Sequence, residues 1–294
     1  MKYSTSKSEL QKALQKVSKA TPTRSTIPII SCVLMDVGET GTTLRTTDLE
    51  ITITTSIESS IEEIGSAAIP LQTLLEITSE LPDDTRITID VNDKNNVKII
   101  TDVGSYDLMG KPADEFPAIP DADQSVEAGI AANILNEIIS TISFAVSRDD
   151  LKPALTGVYF KFENENLIAV ATDGHRLDRY VRKDFKAGQF QGEVVVPRKF
   201  LNIITTYIPN DEPIQLWLGD NIFTATIGAD TIYTRIIDER FPDYQSVIPT
   251  DNEKEIKVGC NNLLSAVKRV SIFSNKSTHQ IAIRAESGSA TITT

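Results

Sequence analysis

The chain has 294 residues, 40% of them apolar and 24% charged, which is the balance of a folded protein with room for two or three cores and no need of disulfides. Its two cysteines, Cys32 and Cys260, lie in no CxxC or Cys/His spacing, so the zinc, haem and redox patterns are excluded and free thiols are expected. The formal charge of −12 argues against a nucleic-acid binder by composition alone, so any such role has to rest on local charge.

The N-terminal segment MKYSTSKSELQKALQKV has no apolar stretch of the kind a secretory signal carries, and no run approaches a membrane span; a cytoplasmic protein is expected. Residues 8–18 place Leu10, Leu14 and Val17 on one face of a helix, with Ser8 as the expected N-cap. Lys12, Lys16 and Lys19 fall on the opposite face. The first 24 residues hold Lys2, Lys7, Lys12, Lys16, Lys19 and Arg24 against Glu9 alone, a basic patch in an acidic chain. A salt-screened range of about 8 Å lets such a patch act locally whatever the net charge.

Further along, residues 42–57, 86–92 and 96–103 alternate and are rich in Ile, Val and Thr, as half-buried strands are. A second helix starts after Pro70, where proline's missing N–H costs nothing. YDLMG (106–110) reads as an edge strand that exposes Tyr106 and Leu108 to a partner. DEFPAIP then leads into a linker at 117–125.

The pattern then starts again. Leu135, Ile139 and Ile142 repeat the first helix face at an offset of 125, with Asn133 as expected cap. Leu263, Val267 and Val270 repeat it once more, with Asn261 as cap. Thr47-Asp48 recurs as Thr172-Asp173, Ile69-Pro70 as Val196-Pro197, and Phe116-Pro117 as Phe241-Pro242, in order and at near-constant offsets. This is the signature of duplication. It gives modules at 1–122, 126–250 and 255–294, with a second linker at 247–255. The expected fold is α+β, each module made of antiparallel sheets plus two helices. The third module holds about a third of a repeat, so a natural chain continuing for some 80 residues is expected.

VATDGHRL (170–177) is the most distinctive segment. On a strand Asp173 and His175 share a face, which allows an enzyme in which Asp173 orients a basic His175. No GxSxG, P-loop, HExxH or aspartate cluster accompanies them, and a binding turn at Gly174 is the stronger expectation. A repeat-built scaffold that does not touch DNA is the third reading.

VATDGHRL, then VVVPRKFL and RFPDYQSVIP, together with Arg24 before Ile27-Pro28, TTDLEI (46–51) and SIFSN (271–275), resembles the bacterial DNA polymerase III beta subunit family, the sliding clamps. The resemblance covers essentially the whole chain and agrees with the repeat. It implies a non-catalytic processivity factor without cofactor or metal. Two subunits form a homodimeric ring, helices inside and sheets outside, around double-stranded DNA. It implies DNA contacts at Arg24, Arg198 and Lys199, which the helix geometry extends to Lys12 and Lys16. It implies a groove for linear peptides of the polymerase alpha subunit, the clamp loader and other clamp-binding proteins, formed by Leu155, Thr172, Gly174, His175, Arg176, Leu177, Pro242 and Val247. Ring closure would pair Tyr106 and Leu108 with Ile272 and Phe273 of the partner's third module. The loop SRDDLKP (147–153), with Asp149 and Asp150, departs from the family's DNA-contacting pattern.

Overall fold

A computed structural model describes residues 1–22, 24–119, 126–163, 165–183, 185, 191–207, 214–219 and 221–294. They form two compact units, Met1–Pro242 and Asp243–Thr294. The first unit begins with β1 (Lys2–Ser6), α1 (Lys7–Val17), β2 (Cys32–Gly38), β3 (Gly41–Thr47) and β4 (Ile51–Ile57). It continues through β5 (Ser60–Glu63), β6 (Gly65–Pro70), α2 (Leu71–Glu80), β7 (Arg86–Val91), β8 (Asn96–Ile100) and β9 (Ser105–Met109). The same order then recurs as β10 (Val126–Ile130), α3 (Ala132–Ile142), β11 (Gly157–Glu163), β12 (Asn166–Thr172) and β13 (Leu177–Lys183). It closes with β14 (Gly192–Pro197), α4 (Arg198–Thr205), β15 (Ile214–Leu218), β16 (Ile222–Ile227) and β17 (Asp230–Arg235). Only β5 has no counterpart among the described residues.

The strand pairing is antiparallel and its register repeats. Val33 stands opposite Ile69 in the first half, and Val158 opposite Val196 in the second. Thr47 faces Thr52, and Thr172 faces Leu177, again 125 residues on. The order β5-β1-β7-β8-β9 makes one sheet and β13-β12-β11-β14 another. The remaining strands fuse into an eight-stranded sheet, β10-β15-β16-β17-β4-β3-β2-β6, in which β17 of the second half pairs with β4 of the first. The two halves are thus welded by backbone hydrogen bonds and not merely packed side by side.

The helices lie on these sheets through the faces that the sequence predicts. Leu10, Leu14 and Val17 are fully buried, α1 packing on α2, β3 and β4; Leu135, Ile139 and Ile142 are buried equivalently, α3 packing on α4, β12 and β13. Each such side chain contributes about 1.5–3 kcal/mol of hydrophobic stabilisation. Phe116 closes a small satellite core with Ile29, Ile30 and Leu34, while Phe241 stacks on Tyr159 at 4.9 Å. The Phe-Pro pairs therefore end each repeat by packing.

The helix starts differ from expectation. The N-cap of α1 is Ser6, whose Oγ accepts from the Glu9 N–H at 3.2 Å, and not Ser8. The caps of α3 and of the later helix are Ala131 and Gly259, so Asn133 and Asn261 lie within the first turn. Strands β1 and β10 run straight into their helices, and the apolar stripe fixes a helix's phase without marking where it begins. Residues 42–57 form a hairpin of two strands, β3 and β4, not one extended run. The first linker falls largely on 120–125, outside the described residues.

The second unit contains α5 (Cys260–Ser271) and the hairpin β18 (Ala282–Glu286) and β19 (Ser289–Thr293). No residue of α5 is buried, and the chain at 249–259 is exposed and irregular.

Candidate nucleic-acid and peptide interface

Lys12 is exposed on α1, as the wheel predicts, and has no ion pair among the described residues. Lys16 does not stand free. Its Nζ pairs at 2.6 Å with Asp230 of β17, whose other oxygen accepts from the Thr55 hydroxyl at 2.5 Å. The lysine is 44% exposed and the carboxylate only 6%. Lys19 donates to the Thr206 hydroxyl at 2.7 Å and sits 4.5 Å over the Tyr207 ring. Burial lowers the pKa of its ammonium, partly offset by Asp230. The Tyr207 hydroxyl in turn donates to the Lys16 carbonyl, and burial pushes its own pKa up. A helical wheel fixes the angles of Lys16 and Lys19 but is blind to a carboxylate more than 200 residues away.

A second clip runs the other way across the same seam. Lys199, in the first turn of α4, pairs with Asp48 in the β3–β4 turn; the lysine is 52% exposed and the carboxylate 7%. Arg198 beside it is half-buried and Arg24 is exposed, and neither has an ion pair among the described residues. Three of the five expected DNA contacts are thus unpaired cations, and two are half-exposed cations pinned to buried aspartates. A cleft of about 470 Å³ on α1 is lined by Glu9, Lys12, Gln15, Lys16, Lys19 and Thr55, among others.

The segment 172–177 is a turn between β12 and β13. Gly174 has φ +89°, the left-handed region that glycine enters freely. The Thr172 hydroxyl donates to the Arg176 carbonyl at 2.7 Å and accepts from the Gly174 N–H at 3.1 Å. Asp173 accepts from the N–H groups of His175 at 2.9 Å and Arg176 at 3.0 Å, and from Arg176 Nε at 2.9 Å. The Arg176 and His175 amides are the main cause of a carboxyl pKa held down to about 2. Asp173 and His175 therefore do not share a strand face. The carboxylate that the alternative, enzymatic reading needs to orient an imidazole is spent on backbone amides, because a short acidic side chain before Gly caps its own turn.

Thr172 is buried, Leu155 and Leu177 are half-buried, and Gly174, His175, Arg176 and Pro242 are exposed. All seven belong to the first unit, and Val247, also exposed, to the second. Sequence reading missed Phe144, an exposed ring with the Arg176 guanidinium 5.5 Å above it, and Leu151, 89% exposed in the 147–153 loop. The available signal was an apolar residue standing in a polar loop.

Tyr106 and Leu108 require a correction. They are half-buried and pack against the core, and the outward face of β9 is Ser105, Asp107 and Met109. The alternation was read correctly, but its two faces were exchanged. Among the described residues β9 is an edge strand with β8 as its sole partner in the sheet, and β13, carrying exposed Arg179, Arg182 and Lys183, is the edge beside β12. In the repeat β9 corresponds to β17 and β13 to β4, the two strands that join at the seam. In the second unit Ile272 and Phe273 are exposed just past α5.

Among the described residues no group of three His, Cys, Asp or Glu is placed to hold a metal, and no helix is long and apolar enough to cross a membrane. Cys32 is buried, with its thiol pKa pushed up by burial, and Cys260 is exposed; both are free.

Comparison with known proteins agrees with this geometry. Residues 1–120 match the family model of the DNA polymerase III beta subunit N-terminal domain, and residues 129–243 that of its central domain. The beta sliding clamp of Vibrio cholerae is 30% identical over 278 residues, covering 94% of this chain and 75% of that protein. That of Escherichia coli K12 is 29% identical over 280 residues, with 94% and 75% covered. The DNA polymerase sliding clamp from Bacillus subtilis superposes with a TM-score of 0.93 at 27% identity, covering 99% of this chain and 80% of that one. Caulobacter crescentus pol III beta gives 0.87 at 30% identity, with 93% and 76% covered.

Proposed function

The chain belongs to the DNA polymerase III beta subunit family, the sliding clamps, which are DNA replication processivity factors, and from that premise we propose how its parts divide the work. Two copies form a ring around double-stranded DNA, with helices turned to the duplex and sheets to the outside, and the chain divides into modules at 1–122, 126–250 and 255–294. Retention comes from topology. Phosphate contacts that carry no sequence information then suffice, and sliding stays fast. Arg24, Lys12, Arg198, Lys199 and Lys16 supply those contacts. The net charge of −12 suits this arrangement, since it discourages open-ended binding while local cations act within a Debye length.

The observation that carries this reading is the β17–β4 weld. One module's edge strand completes the next module's sheet, and the equivalent edges β9 and β13 have no second strand partner among the described residues. An exposed edge is a template for another strand. In the proposed ring β9 serves as such a template, meeting a partner's third module near Ile272 and Phe273.

The protein has no chemistry of its own in this reading. In keeping with that, the Asp173 carboxylate is engaged by the His175 and Arg176 amides and by Arg176 Nε. The turn at 172–177, with Leu155 and Pro242, takes short linear peptides from the polymerase alpha subunit, the clamp loader and other clamp-binding proteins. The location is cytoplasmic. The test is clamp-loader-dependent retention on a nicked circular plasmid. Retention lost on linearising the plasmid is expected, and equal retention on both forms overturns the proposal.

A further inference from the structure

The two cross-seam clips are reciprocal. Lys16 of the first half reaches Asp230 of the second, and Lys199 of the second reaches Asp48 of the first. Each aspartate is nearly buried and fixed by further donors. Asp230 takes the Thr55 hydroxyl, and Asp48 takes the N–H groups of Glu50 at 3.0 Å and Ile51 at 2.7 Å. Each lysine is half-exposed at the surface expected to face DNA. A cation so placed is positioned for a phosphate yet already neutralised by a carboxylate that cannot move away.

We propose that Asp48 and Asp230 are positioning residues that hold Lys16 and Lys199 across the seam and restrain their pairing with phosphate, keeping the grip on DNA weak enough to slide. This rests on the reading of the chain as a DNA-encircling clamp. It assigns a function to two acidic residues at a surface where acid otherwise looks misplaced. Each phosphate a protein neutralises steepens the fall of log K with log salt by about 0.9. Two pinned lysines therefore lower the slope by up to about two.

The experiment measures binding of the 294-residue protein to a 30-base-pair duplex by fluorescence anisotropy across a salt series. Asp48→Asn and Asp230→Asn keep one acceptor oxygen for the Thr55 hydroxyl or the Glu50 and Ile51 amides, replace the oxygen facing the lysine by an NH2 group, and remove the charge. Each is expected to bind about three- to tenfold more tightly at 50 mM salt, with a slope steeper by about one. Lys16→Gln is expected to weaken binding in both backgrounds, but by a larger factor in Asp230→Asn than in the parent, a coupling that a merely structural role does not produce. Asp230→Glu, which retains the charge, is expected to restore parental behaviour. If Asp230→Asn does not fold, Asp48→Asn with Lys199→Gln asks the same question at the other clip. Unchanged affinity and slope in both asparagine variants, with the parent binding normally, overturns the proposal. Absence of duplex binding by parent and asparagine variants alike overturns it as well, whereas the clamp reading on which it stands fails separately, by equal retention on circular and linearised plasmid.

Discussion

Leu49 and Gly174 occupy the same position of the same turn, 125 residues apart, with φ of +79° and +89°. Thr47 and Asp48 make the same hydrogen bonds around Leu49 that Thr172 and Asp173 make around Gly174. One repeat fills the left-handed position with the residue that suits it, and the other holds a leucine there at a cost of about 1–2 kcal/mol.

Leu49→Gly is therefore expected to stabilise the protein by up to about 1 kcal/mol, since the relief of strain exceeds the roughly 0.5–1 kcal/mol entropic cost of glycine. Gly174→Ala is expected to destabilise by about 1 kcal/mol through φ alone, because a Cβ there meets nothing within 4 Å. Urea denaturation of both variants decides the matter. Equal and opposite signs support the shared geometry, and a stabilising Gly174→Ala contradicts it.

Gly157 poses the opposite case. It stands opposite Pro197 as Cys32 stands opposite Pro70, so the repeat places a cysteine where the second half has glycine. A Cβ on Gly157 would sit 2.7 Å from the Val196 carbonyl oxygen and 2.8 Å from Ile237 Cδ1. Gly157→Ala is expected to cost about 1–3 kcal/mol by overpacking. The thermal midpoint should fall by several degrees, and a midpoint unchanged from the parent would show that β11 shifts without cost.

The Asp173 carboxyl is expected to titrate near pH 2, below its ordinary 3.8, because the amides of Arg176 and His175 and the Arg176 guanidinium favour its charged form. A depressed folded pKa means stability that is fully present above the unfolded value and is lost as pH falls through the folded one. The window thus runs from about pH 3.8 down to about 2. Asp173→Asn should flatten the acid limb of stability in that window and lower stability at neutral pH, where the contribution of the charged carboxylate is otherwise present in full. Carboxyl NMR shifts give the site pKa directly, and a value near 3.8 would mean that the turn is open in solution.

Much of this was legible in the sequence because duplication imposes constant offsets, and apolar stripes such as Leu10–Leu14–Val17 report burial directly. Gly174 was legible too, since a turn needs a residue free to enter positive φ. The partners of Lys16 and Lys199 were not, since Asp230 and Asp48 reach them only after β17 pairs with β4. Nor was the facing of β9, because alternation gives two faces and no sign. The core that chooses between them comes from distant strands.

That choice has a measurable consequence at Leu108. A side chain that served only a partner's surface could be cut back without harm to the monomer. Leu108 instead leans on the core, opposite Val97 on β8. Leu108→Ala is therefore expected to lower the stability of the isolated chain by about 1–2 kcal/mol, less than the 2–5 kcal/mol of a fully buried leucine because its side chain is only partly buried. Met109, outward-facing on the same strand and 64% exposed, supplies the contrast: Met109→Ala should leave stability within about 0.5 kcal/mol of the parent. Denaturation at a protein concentration low enough for sedimentation to report monomers separates fold from association. A Leu108→Ala protein as stable as the parent would place that side chain on the open face and reverse the assignment of the two sides of β9.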